Sequence, residues 1–179
     1  MMQVRLTGFG GQGIVLAGML LGEAGTLEGK SVAGANSYGA QARGSACRSE
    51  IIFSEGRIDY PHLTTADILV AMSQGSYDMH RRDVREPSGL ILYDQGQVKP
   101  KRRGKVTQMA IPATEYAIQQ LKNKQVANII LLGALVEITK IVSARAMKKA
   151  IQRQVHERFQ AINLEAFHLG LQLGRKTHG

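Results

Sequence analysis

Residues 3–7 alternate in polarity around Val4 and Leu6 and run straight into Gly8-Phe9-Gly10-Gly11-Gln12-Gly13. Residues 14–24 then carry Val15, Met19 and Leu20 at helical spacing, with Gly18 and Gly22 among them. This strand, tight glycine turn and helix constrain the fold more than any other feature. The glycines match the G-x-G-x-x-G pattern, with Gly13 standing where the helix begins. Glycines there let the backbone turn sharply, let a ligand reach the peptide groups, and let helix and strand pack closely. The free N–H groups of the first helical turn then favour an anion. Three uses of the turn follow: a dinucleotide site, a seat for another phosphate-bearing ligand or a neighbouring chain, or close packing alone.

The second strand is the test for a dinucleotide. Enzymes that bind NAD place an acidic residue about 20 positions beyond the turn, on the ribose hydroxyls. Here that region reads GKSVAGANSYGAQ, and no acid occurs between Glu28 and Glu50. Arg43, the nearest arginine for an NADP phosphate, falls in a loop and not at a strand end. A free-standing NAD(P)- or flavin-binding oxidoreductase therefore stays as the alternative reading. Two other features suit a contact surface. Gln12 puts a carboxamide, both donor and acceptor, inside the turn. Residues 37–45 (Ser37-Tyr38-Gly39-Ala40-Gln41-Ala42-Arg43-Gly44-Ser45) form a small, glycine-bearing loop that offers one ring and one guanidinium.

The rest of the chain reads as one α/β domain over residues 1–179. Residues 30–35 make a second, small-residued strand. Residues 46–53 alternate well, and after the Glu55-Gly56 turn residues 57–60 are expected to return antiparallel as a hairpin. Residues 66–72 and 89–94 read as buried strands, with a helix over 74–82 between them. Residues 106–111 form a further strand that Pro112 stops. Helices are expected over 113–121, 127–139 and 144–167, the last with one break and with Ser143 as its N-cap. The architecture predicted is a three-layer α/β/α sandwich on a mixed, mostly parallel sheet, opened by a Rossmann-like βα unit.

Composition narrows the chemistry. The single cysteine, Cys47, cannot close an internal disulfide or by itself hold an iron–sulfur cluster or a four-ligand zinc. The five histidines show no metal-ligand spacing, and no G-x-S-x-G frame surrounds a serine. Asp67 and Asp94 flank buried strands and read as turn residues in preference to ligands. A formal charge of +9 favours acidic or phosphate-bearing partners. Nucleic acid is disfavoured, because aromatic residues are only 5% and none lies within the basic loop 99–105. That loop reads as plain surface. A strand beginning almost at Met1 leaves no room for a charged leader and apolar signal, so a cytoplasmic protein is expected.

GFGGQG with its small-residue helix, SYGAQARGS, ADILVAMSQ and NIILLGAL occur in order along nearly the whole chain. Together they resemble the gamma subunit of the 2-oxoacid:ferredoxin oxidoreductases, whose members act on pyruvate, 2-oxoglutarate, branched-chain 2-oxoacids or indolepyruvate. The resemblance implies a complex that decarboxylates a 2-oxoacid, transfers the acyl group to coenzyme A and reduces ferredoxin, with a lean towards 2-oxoglutarate. It implies that the gamma chain is not catalytic alone, and that alpha and beta subunits, with a delta subunit in some complexes, carry thiamine diphosphate, magnesium and the iron–sulfur clusters. An isolated gamma chain, its interface bare, is expected to pair with a second copy. Carried over by position, the pattern gives Gly8, Gly10, Gly11, Gln12 and Gly13 in the turn, Ser37, Tyr38, Gly39, Arg43 and Gly44 in the loop, and Asn128 with Gly133 in a later helix, as the residues facing a ligand or a neighbouring subunit. The family loop usually reads Tyr-Gly-Pro-Glu-x-Arg-Gly-Gly, whereas this chain has Ala40, Gln41 and Ser45 at the third, fourth and last places. Losing the proline loosens the loop, and Gln41 removes a negative charge.

Overall fold

The structure, a computed structural model, describes residues 1–38, 46–60, 62–102 and 104–178. Among these, six strands form one sheet: β1 (Met2–Phe9), β2 (Ser31–Tyr38), β3 (Ala46–Ser54), β4 (Ile68–Ala71), β5 (Leu90–Asp94) and β6 (Thr107–Ile111). Six α-helices accompany them: α1 (Ile14–Leu27), α2 (Gln74–His80), α3 (Ala113–Gln119), α4 (Ala127–Thr139), α5 (Ala144–Gln154) and α6 (Glu157–His178). The order across the sheet is β2-β3-β1-β4-β5-β6. From β1 through β6 the neighbours are parallel, while β3 runs antiparallel between β1 and β2. The sheet is mixed, as the sequence predicts.

The partner of β3 is not the one expected. Residues 57–60 form no strand, and β3 pairs instead with β2 on one side and β1 on the other. Arg57 and Asp59 pair with each other and stand almost fully in solvent, so they bury nothing that would hold a returning strand there. β3 buries Ile51, Ile52 and Phe53, and the two flanking ladders supply that burial. β2 also runs past residue 35, because Asn36, Ser37 and Tyr38 pair with Ser49, Arg48 and Cys47.

The two faces of the sheet are covered unequally. Val4, Leu6, Ile68, Val70, Leu92 and Ile111 point to one face and meet α1, α4 and the helices behind them in one large core. Leu69, Ala71, Ile91 and Tyr93 alternate to the other face and meet a smaller core around Tyr77 of α2 and Val84. On the thick side, α4 is apolar all round, and every residue from Ala127 to Val136 is buried between neighbours. α6 crosses it very closely: a Cβ at Gly133 would lie 2.4 Å from the Phe167 carbonyl oxygen, and one at Gly170 only 2.1 Å from that of Ile130. Ser143 caps α5 by accepting the Ala146 N–H at 3.1 Å, where the sequence places it. The expected break in the last helical run falls at Val155 and His156, after which α6 continues to His178. Among the described residues, no helix is long and apolar enough to cross a membrane.

Candidate functional site

The glycine turn sits at the carboxyl end of β1, where β1 adjoins β4 and where the helix after β1 and the helix after β4 leave on opposite faces. Open α/β sheets bind ligands at such a switch point. Two glycines of the turn adopt left-handed backbone, Gly11 at φ 95° and Gly13 at φ 70°. At Gly13 space is scarce as well, since a Cβ would meet the Asn128 amide nitrogen at 2.3 Å. At Gly11 nothing lies within 4 Å of that position, so the turn opens outward there. Gly13 caps α1, and no described side chain bonds the N–H groups of its first turn.

The two carboxamides singled out from sequence are spent inside the protein. Gln12 Oε1 accepts the Phe9 N–H at 2.6 Å, and its Nε2 donates to the Met72 carbonyl at 3.0 Å. The side chain thus ties the turn to the end of β4. Asn128, buried at the start of α4, donates from Nδ2 to the Gly13 carbonyl at 3.0 Å, and its Oδ1 accepts the Ile129 N–H at 2.9 Å. Both residues position the turn and hold its shape.

The loop residues are brought to the same edge of the sheet but not onto the turn. Across the sheet, Tyr38 pairs with Cys47 and Cys47 with Gly8, so the end of β2 stands two strands, about 10 Å, from the turn. Ser37 is exposed and pairs with Arg48. Gly39, Arg43 and Gly44 lie outside the described residues. β3 has a chemical consequence here. In a dinucleotide fold β2 lies directly beside β1, and the adenosine half of the ligand uses the carboxyl end of that pair. Here Ala46 and Cys47, at the start of β3, stand beside Phe9 and Gly8 in that position.

Sequence reasoning did not single out the far wall of the crevice. A cavity of about 290 Å³ over Gly10, Gly11 and Gln12 is closed by Met72, Thr114, Lys124 and Gln125. Lys124, in a 3-10 turn at Lys124–Val126, is exposed and adds a positive charge. Beneath it Asp94 is fully buried; burial pushes its carboxyl above the ordinary range, opposed by bonds from the Thr114 hydroxyl and from the Gly96 and Thr114 N–H groups, and by Lys124. Asp94 therefore fixes the start of α3, as Asp67 fixes Gln3 N–H and Arg85. Thr114 lies 20 residues from Asp94, and Gln3 lies 64 from Asp67, separations that no local motif reveals. Among the described residues no group of three His, Cys, Asp or Glu side chains is placed to hold a metal ion.

A second polar cluster lies under the sheet's thin side. Arg5, buried on β1, donates from Nε to Glu50 at 2.9 Å and from Nη1 to Asp83 at 2.8 Å. His80 is buried beside them, its Nδ1 3.3 Å from Asp83 and 3.4 Å from Arg5. Burial holds the His80 imidazole below its ordinary pKa, and Arg5 and Arg48 push the same way against Asp83. The basic loop is likewise tied down: Lys99 N–H donates to Gln74, Lys101 N–H to the Tyr77 hydroxyl, and the Lys101 ammonium pairs with Asp78 at 2.7 Å.

Residues 3–173 match the pyruvate ferredoxin/flavodoxin oxidoreductase family. The chain is 41% identical to 2-oxoglutarate synthase subunit KorC of Methanocaldococcus jannaschii, over 97% of its own length and 94% of that protein. It superposes with a TM-score of 0.87 on the gamma subunit of a keto/oxoacid ferredoxin oxidoreductase from Geobacter sulfurreducens, at 34% identity and covering 99% of this chain and 100% of that one. The same TM-score relates it to 2-oxoglutarate:ferredoxin oxidoreductase from Magnetococcus marinus with 2-oxoglutarate, coenzyme A and succinyl-CoA bound, at 25% identity. There 98% of this chain covers only 31% of a longer polypeptide.

Proposed function

The chain belongs to the pyruvate ferredoxin/flavodoxin oxidoreductase family, and we propose that it works as the gamma subunit of a complex that oxidises 2-oxoglutarate. That complex releases carbon dioxide, joins the remaining succinyl group to coenzyme A and passes the electrons to ferredoxin. The lean to 2-oxoglutarate rests on the similarity to the synthase subunit. A fused counterpart in the longer Magnetococcus polypeptide supports a role as one part of a larger machine. Thiamine diphosphate, magnesium and iron–sulfur clusters belong on the alpha and beta subunits, and in some complexes on a delta subunit. With one cysteine this chain offers no cage for a cluster.

The observation that carries this reading against a free-standing dinucleotide enzyme is the position of β3. It fills the place beside β1 that the adenosine half of NAD would use, and β2 carries no acid for a ribose. What remains is the crevice between β1 and β4, lined by Gly10, Gly11, Gln12 and Lys124. In this reading Gly8, Gly10, Gly11, Gln12, Gly13 and Asn128 build a rigid edge that presents backbone donors to the phosphates of coenzyme A. Ser37 and Tyr38, with Gly39, Arg43 and Gly44 beyond them, border the neighbouring subunit.

The test is mild affinity purification of the chain from its native host, followed by dye reduction assayed with a panel of 2-oxoacids. The expected result is co-elution with larger subunits and turnover that needs coenzyme A, fastest with 2-oxoglutarate. A lone chain carrying bound nucleotide overturns the reading. Faster turnover of pyruvate overturns only the choice of substrate.

A further inference from the structure

The sheet ends in two edges that are guarded differently. β6, at one end, is five residues long, and the basic loop before it folds back so that Gln108 Nε2 donates to the Lys101 carbonyl at 2.9 Å. β2, at the other end, is eight residues long, and its sequence SVAGANSY contains no charge and no proline. Its backbone pairs with β3 on one side, and among the described residues no strand lies on the other. A long edge with neither charge nor proline is an open template for another strand.

The helix above this edge has the same character. α1 runs over the seam between β2 and β3, since a Cβ at Gly25 would meet the Phe53 ring at 2.5 Å and Val32 at 3.1 Å. Gly22 faces Val32, which turns the next flank of the helix, Val15, Met19 and Thr26, towards the outside of β2. That flank is uncharged, and Met19 is 50% exposed. The nearest charge, Glu23, is turned to Arg153 of α5 at 3.2 Å. Gly18 lies against Ser49 and Ile51, whose partners on β2 are Asn36 and Gly34, so Met19 stands level with the middle of β2.

We propose that β2 and this flank of α1 form the contact with a second copy of the chain, related by a two-fold axis that passes through the middle of β2. The two β2 strands pair antiparallel and join the sheets into one of twelve strands, six from each copy. The same rotation sets the two α1 helices two strand spacings apart, about 10 Å, which is a helix-packing distance. Met19 of each copy then meets the other near the axis. A strand from an unrelated chain would satisfy only the backbone of β2, whereas the two-fold satisfies strand and helix together. It also brings no charge against its like, although each copy carries +9. The gamma-subunit reading leaves the number of copies open, and this surface sets it at two.

The test is sedimentation equilibrium of the full chain, with disulfide trapping as a second readout. The parent is expected to be dimeric at about 0.1 mM, where even a micromolar contact is filled. Added salt should tighten the dimer, because it screens the repulsion between two cationic copies. Met19→Glu should weaken self-association about a hundredfold, the factor for losing two buried methionine side chains. Its far-UV circular dichroism should match the parent's, since Met19 is half-exposed. Met19→Cys should form a disulfide-linked dimer on mild oxidation. Met79→Cys, at a site 59% exposed on α2 across the sheet, should form none. A parent chain that stays monomeric at about 0.1 mM overturns the second-copy assignment, even if Met19→Glu weakens its binding to other subunits. So does a dimer that Met19→Glu leaves intact, or one that Met19→Cys fails to trap. Each of these leaves the gamma-subunit reading standing, because that reading is decided by turnover dependent on coenzyme A.

Discussion

The two faces of the sheet are stabilised by different physics. On the thick face, α1, α4, α5 and α6 build a dry core in which glycine brings the α4 and α6 backbones into contact. On the thin face, the short α2 covers β1, and the space beneath it is filled by Arg5, Glu50, His80 and Asp83. Close packing is indifferent to pH and salt, whereas a buried ionic cluster is not. The same six strands therefore carry a rigid side and a titratable side. The glycine turn is held from both directions, by Asn128 of α4 and through Gln12 by the Met72 carbonyl at the end of β4.

The largest effect should come from breaking the ionic cluster on one side only. Arg5→Met removes the cation shared by Glu50 and Asp83 and strands a carboxylate that is almost fully buried. Removing one partner of a buried pair costs about 3–5 kcal/mol. Arg48, 3.6 Å from Glu50, offsets part of this, so a loss near about 3 kcal/mol is expected in urea unfolding. A loss below about 1 kcal/mol would mean that the cluster is solvated and that the two faces do not differ as described.

The matching change on the thick face is Gly170→Ala. Its new methyl would overlap the Ile130 carbonyl, which is backbone and cannot swing away. Overpacking of this kind costs about 1–3 kcal/mol, and the helices must separate to relieve it. The loss should be the same at pH 5.5 and pH 7.5, because no charged group is involved. A pH-dependent loss would show that the helical seam is coupled to the ionic cluster across the sheet.

How much of this was legible in the sequence follows the range of the contacts. The turn, its helix and the Ser143 cap were readable, because each is decided within a few residues. The pairing of β3 was not: the nearest turn, Glu55-Gly56, pointed to a hairpin, while the true partners are β2 and a strand 44 positions earlier by the Met2–Ala46 starts. Gly133 was noticed in a motif, but its partner Gly170 was not, since their contact depends on how α4 crosses α6. The crevice was half legible. Gly10 to Gly13 announce themselves, while Lys124 and Thr114 come from separate segments and have no pattern of their own. Gln12 and Asn128 show the limit most plainly, since their identity was readable and their use inside the protein was not.

The smallest expected effect is also the sharpest probe of the comparison. Burial holds the His80 pKa below its unfolded value of about 6.5. Below that pH the unfolded chain takes up a proton that the folded chain resists, so folding loses stability as pH falls; above it His80 contributes nothing. Arg5 and Arg48 strengthen the resistance and Asp83 opposes it, so the net dependence is modest. The carboxylates held low, Glu28, Asp78 and Glu137, titrate further into acid, while Asp94, held high by burial, takes up its proton more readily folded than unfolded and so opposes His80 as pH falls. His80→Gln should flatten the fall in Tm across that window while leaving Tm at pH 8 within a few degrees of the parent. Gly170→Ala should lower Tm throughout and keep the parent's slope. If both variants retain the parent's slope, the acid sensitivity lies outside the cluster, and the thin face is held by packing like the thick one.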